Sequence, residues 1–219
     1  MFASLNKPLR NSIVLASDIV ELEGESSVSA SLDLKLNGTS VKTASGTTIS
    51  HSLSGLTAGN YEVILEATDG SITASDTSFF VVNPSISTAN VPSGMELGIN
   101  YTSASSATLV LLAPFKDYVY VLGDFNDWKV NTNYFMNRDP DGRRYWLELQ
   151  NLDANSQQAF QYFVDGDIKI ADPYSELILD PSNDQWISST TFPDIHPYPV
   201  GKTSGIATLM DLDLSLIHI

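Results

Sequence analysis

The chain has no cysteine in its 219 residues, so disulfides, thiolate catalysis and thiolate metal sites are excluded. Basic residues are scarce. Eleven lysines and arginines stand against 26 aspartates and glutamates, a formal charge of -15, which argues against nucleic acid and anionic membrane surfaces as partners. No window approaches the roughly 18 uninterrupted apolar residues of a membrane-spanning helix. Sustained helical periodicity is also missing, so helix content is expected to be low. Met1-Phe-Ala-Ser-Leu-Asn-Lys7 lacks the basic start and long apolar stretch of a signal peptide. The expectation is therefore either a cytoplasmic protein or a chain that starts downstream of its native N-terminus. Apolar residues, at 42%, are plentiful enough for one large domain or two of about 100 residues.

Residues 1–83 read as an immunoglobulin-like β-sandwich. Pro8 to Leu15 gives an edge segment. From Ser27 to Leu36, Val28, Ala30, Leu32, Leu34 and Leu36 alternate with polar residues, which predicts a strand with one buried face. Asn37-Gly38 is the dipeptide of a tight hairpin, and Val41 starts the return. Tyr61, Val63, Leu65 and Ala67 alternate again, and Asp69-Gly70 turns the chain into Ile72 to Val82. Short strands with turn signals every 8 to 12 residues indicate a sandwich. Residues 84–94 carry Pro84, Pro92 and small polar residues and read as a linker.

Residues 95–190 read as a second β-sandwich, so the expected fold class is all-β, two such domains in tandem. Its organising stretch is Val119-Tyr-Val-Leu-Gly-Asp-Phe-Asn-Asp-Trp128. Four alternating apolar residues predict a strand packed on both faces. Gly123, Asp124, Asn126 and Asp127 then supply turn chemistry. Trp128 is either a core tryptophan with a satisfied indole N–H or a flat face for a sugar ring.

This stretch, with Phe160-Gln-Tyr-Phe-Val-Asp-Gly166 and Ala171-Asp-Pro173, resembles the glycogen- and starch-binding module of alpha-amylase-type glycoside hydrolases. That module, an early-set immunoglobulin-like domain, precedes the barrel in glycoside hydrolases of family 13. Residues 1–83 are in turn similar to the immunoglobulin-like repeats of bacterial surface and secreted proteins. The resemblance implies a bacterial secreted or cell-surface location and a sugar groove of two tryptophans, a lysine, a leucine and an asparagine. The first tryptophan maps to Trp128, with Asn126 beside it in the turn. The lysine maps to Gln161, and the second tryptophan falls at or next to Ile168. With one stacking platform and the cation replaced, α-glucan binding is expected to be weak, with dissociation constants about millimolar, equivalent to about 4 kcal/mol. Ala171 to Pro181, Asn183 to Ile187 and Tyr198 to Gly205 look like the join to a catalytic barrel in enzymes of the Bacteroidetes kind. A barrel needs about 250 residues, so residues 191–219 read as an extended join to a missing partner, expected to pack poorly from Thr190 onward. Leu214 to Ile219 resembles translated sequencing adapter.

Other chemistry fits poorly. Asp124 with Asp127, and Asp139 with Asp141, are carboxylate pairs, but both lie in turns, where acids normally bond backbone N–H groups. Asp139-Pro-Asp-Gly142 lacks the later ligands of a calcium loop. Gly201-Lys-Thr203 lacks the first glycine of a phosphate-binding loop, where His196 stands. His51, His196 and His218 are far apart and without paired acid spacing. No catalytic residue, metal or cofactor is therefore expected in this chain. Two readings stand: a non-catalytic accessory region of a secreted α-glucan-degrading hydrolase, or a free-standing β-sandwich adhesion or binding protein.

Overall fold

The computed structural model describes residues 1–193 and 195–212. Leu214 to Ile219, with its adapter-like sequence and His218, lies outside them. The described chain is all-β: fifteen strands and three 3-10 turns of three residues each. It divides into two compact units, one of residues 1–85 with 130–132, the other of residues 86–129 with those from 133 onward. Each is an immunoglobulin-like β-sandwich.

The first unit is one hydrogen-bonded sheet of β1 (Ala3–Lys7), β2 (Ser12–Val14), β3 (Val20–Leu36), β4 (Thr39–Leu53), β5 (Gly59–Thr68) and β6 (Thr73–Val82). Strand β3 is its spine. Along one edge β3 pairs with β4 over both its halves. Along the other it pairs first with β1 and then with β5. Both halves feed one core, in which Leu22, Leu32, Leu34, Val63, Leu65 and Phe80 are buried. Each such side chain contributes on the order of 1.5–3 kcal/mol. The predicted alternation holds for Ala30, Leu32 and Leu34 but fails at Val28, which is 43% exposed. The register on β4 shifts between Glu25 and Ala30, and Val28 lies in that bulge, outside the regular pairing; the buried alternation resumes in the same phase at Ala30. Asn37 and Gly38 both have positive φ, 48° and 79°, as a tight hairpin requires.

The second unit has two sheets around one core. The first sheet runs β10 (Asn137–Arg138), β11 (Arg144–Leu149), β8 (Ser106–Leu112), β7 (Gly98–Ser103). The second is built on β12 (Gln158–Val164). One edge of β12 holds β9 (Val119–Gly123). Its other edge holds β13 (Ile168–Ile170) beside its C-terminal half and β15 (Ala207–Met210) beside its N-terminal half. Strand β14 (Ile178–Leu179) completes the sheet on β15. Leu109, Leu111 and Tyr145 of one sheet meet Val121, Phe160 and Tyr162 of the other. Tyr120 and Leu122 face away from that core and are buried too, so β9 is packed on both faces as its sequence predicts.

Two expectations change here. The stretch read as a linker is fastened at its C-terminal end: Val91 N–H donates to Asp139 and the Trp146 indole donates to the Ala89 carbonyl. The tail, expected to pack poorly, supplies β15, all four of whose residues are buried, and then the buried Leu212. The apolar run Ala207-Thr-Leu-Met210 fills the open edge of β12 next to β13, which satisfies backbone groups that would otherwise be unpaired there. The proline-bearing segment before it forms no strand among the described residues.

Candidate functional site

The turn after β9 is built by its own polar residues. Asn126 Oδ1 accepts from Gly123 N–H at 2.9 Å and its amide donates to the Val121 carbonyl at 2.8 Å. Both functions of the Asn126 side chain thereby hold the turn. Asp127 and Trp128 each take a left-handed backbone, φ 53° and 59°, which folds the chain back so that Trp128 N–H reaches the Gly123 carbonyl. The indole N–H then donates to Asp124 Oδ1 at 2.9 Å, while Asp124 Oδ2 accepts from Ala159 N–H at 2.7 Å. Gly123 is required by close approach. A β-carbon there would stand 2.7 Å from the Ala159 carbonyl oxygen.

Trp128 is consequently a core residue, 1% exposed. The expectation that its ring lies at least partly open is corrected: two left-handed residues and the indole bond tuck it beneath its own turn. Gln161, on β12, is also 1% exposed. Its amide donates to the carbonyls of Ser204, at 3.0 Å, and Ile206, at 2.7 Å, and its Oε1 accepts from the Thr203 hydroxyl. Ile168 is different, 42% exposed at the start of β13.

A single segment runs past these positions. Lys202 pairs with Asp127 at 2.8 Å, Thr203 and Ser204 bond Gln161, and Lys169 lies 3.4 Å from the Thr203 hydroxyl. Burial lowers the Lys169 pKa. Residues 202–206 thus take up polar groups of Asp127 and Gln161, the second of which the resemblance assigns to a sugar groove. Sequence reasoning missed this filling. Gly201-Lys-Thr203 attracts attention only as an incomplete phosphate loop, and nothing in it announces a partner on β12.

The other candidate acids serve the backbone. Asp139 accepts from the N–H groups of Val91 and Asp141, and these bonds with the nearby Arg144 guanidinium hold its carboxyl below the usual range. Asp141 in turn accepts from Arg143 N–H. No group of three histidines and acids able to hold a metal ion occurs among the described residues. No helix among them is long and apolar enough to cross a membrane.

No family model matches the chain, and no curated protein matches it. Solved structures do. The fibronectin(III)-like modules of Clostridium thermocellum CbhA are similar at 15% identity over 37% of this chain and 96% of theirs, with a TM-score of 0.34. The pullulanase from an Anoxybacillus species is 14% identical over 77% of this chain and 26% of its own, with a TM-score of 0.30. A beta-glucuronidase of Bacteroides uniformis is 12% identical over 78% of this chain and 24% of its own, also at 0.30. The chain therefore spans about a quarter of the length of those two enzymes. At these TM-scores the likenesses carry no argument about activity.

Proposed function

We propose that this chain is a non-catalytic accessory region of a secreted α-glucan-degrading glycoside hydrolase. Its main role is to dock a catalytic domain, and contact with α-glucan is weak. The observation that carries the reading is the exposed apolar side chains between Tyr174 and Ile206. Trp186 is 80% exposed, and Tyr174, Ile178, Phe192 and Val200 are also exposed. Trp128, fully buried five strands earlier, shows that this unit has the means to cover aromatics. Leaving a second one bare is the chemistry of a surface that meets a partner.

The filled groove agrees with that emphasis. A sugar entering between Trp128 and Gln161 must first displace residues 202–206 and their bonds to Gln161. Docking needs no such displacement. The gene sequence beyond the codon for Asp211 tests the reading. An open frame encoding eight strand–helix units is the expected result. A stop codon, or a cell-surface anchor with no barrel, overturns it.

A further inference from the structure

At the end of the second unit where β9 finishes and β12 begins lies an open cleft of about 510 Å³. Asp124, Phe125, Asn151, Asp153, Gln158 and His196 are among the residues that line it. None of the lining residues is a lysine or arginine, and two are aspartates, so an anion is repelled. The Asp124 carboxylate is already engaged on both oxygens, by the Trp128 indole and by Ala159 N–H, and its Oδ2 lies 3.7 Å from His196 Nε2. It positions the imidazole on the wall rather than offering a free charge.

Gln158 is the unusual member. It shares the parity of Phe160 and Tyr162 on β12, so its side chain lies on the core-facing side, 7% exposed. Its Oε1 is buried and receives no donor from the described residues. Buried acceptors are nearly always bonded, and this one lies out of reach of solvent, so a ligand's donor meets it only when the carboxamide turns toward the cleft. Phe125 forms an apolar wall. Its ring stacks on Tyr134 with centroids 5.2 Å apart.

We infer that this cleft binds the hydroxyl edge of an uncharged oligosaccharide, with Gln158 Oε1 accepting from a sugar hydroxyl and Phe125 contacting the ring's C–H face. Carboxamides, an imidazole and an aromatic wall, with no cation, suit a neutral polyol. The site is separate from the Trp128–Gln161–Ile168 positions. Choosing an α-glucan as its ligand rests on the proposed function; the cleft itself does not.

The test titrates maltoheptaose, and separately cellohexaose, into the ¹⁵N-labelled full chain and follows the side-chain amide signals of Gln158 and Asn151. Saturable shifts are expected. Gln158→Leu should weaken binding at least tenfold without lowering the thermal midpoint, because it removes an unbonded acceptor. His196→Ala, on the wall, should weaken it about threefold and serves if the first variant does not fold. Response to cellohexaose alone keeps the cleft and removes the α-glucan reading. Shifts confined to Ile168 and Lys169, silence with both sugars, or Gln158→Leu that loses stability while binding persists would each overturn the cleft. So would saturable shifts with tetramethylammonium in place of sugar.

Discussion

The two units hold themselves together differently. The first has an almost purely aliphatic core, and Ser26 and Ser78 are its buried polar residues. The second buries Thr108, Asp139, Gln158, Gln161, Asp172 and Thr208 as well as Trp128 and three tyrosines. Tyr162 donates to Asp172, Asp172 N–H donates to Thr208, and the Tyr145 hydroxyl donates to the Lys116 carbonyl. Apolar burial is non-directional and stabilises many arrangements. Buried hydrogen bonds are directional, and they fix where turns and tail segments sit. The contrast teaches that the second unit spends its polar groups on placement. Both the filled groove and the open cleft result from that.

The largest effect expected is in the cores. Phe160→Ala in the second unit should cost about 3–5 kcal/mol and Leu34→Ala in the first about 2–5 kcal/mol. Calorimetry of each variant should show a loss in the unit that carries the change. An equal loss in both transitions for either variant would break the division into two cores.

A smaller effect separates directional from non-directional burial. Gln161→Leu keeps volume but strips the carbonyls of Ser204 and Ile206 and the Thr203 hydroxyl of their partner. It should cost about 1–3 kcal/mol, read by urea denaturation, and raise amide exchange at residues 203–210. Unchanged exchange there would mean that β15 holds the tail without Gln161.

The next effect depends on pH. Burial raises the Asp172 carboxyl above its ordinary 3.8, although bonds donated by Tyr174 N–H and the Tyr162 hydroxyl oppose it. Folding therefore favours the protonated acid. That contribution is complete below the unfolded value and is lost as pH rises through the folded one. Asp139 runs the other way: its lowered value contributes at neutral pH and fades as pH falls. Asp172→Asn, which can still bond both partners, should gain stability over the native chain between about pH 4 and pH 7. A constant difference in urea midpoint across that range would show that Asp172 does not titrate there.

The smallest effect is on the surface. Trp186→Ser should leave the isolated chain within about 0.5 kcal/mol of native stability, since the ring covers nothing in it. A clear loss by thermal denaturation would place Trp186 in this chain's own packing and remove the main support for docking.

Period-two alternation by itself determined much of this protein. Leu32 and Leu34, Val63 and Leu65, and Val119 to Leu122 are read as strands and lie in strands with the buried faces expected. The Asn37-Gly38 hairpin was equally legible, because a tight turn's requirements are met by residues within a few positions; the turn acids at 124 and 139 do bond backbone N–H groups, but these include Ala159 and Val91, 35 and 48 residues away. Val28 departs from the alternation because a bulge interrupts the pairing there without changing composition. The fates of Trp128, Gln161 and the tail were decided only in three dimensions. Alternation states that a face is covered and leaves open what covers it. Gln161 finds its partners 42 to 45 residues away. The tail becomes a strand because the edge of β12 beyond β13 is free to pair with it. Gln158 Oε1 receives no donor from the described residues, which nothing in its own stretch of sequence announces. Contacts at such separation depend on the closed sandwich, and no local pattern of residues encodes them.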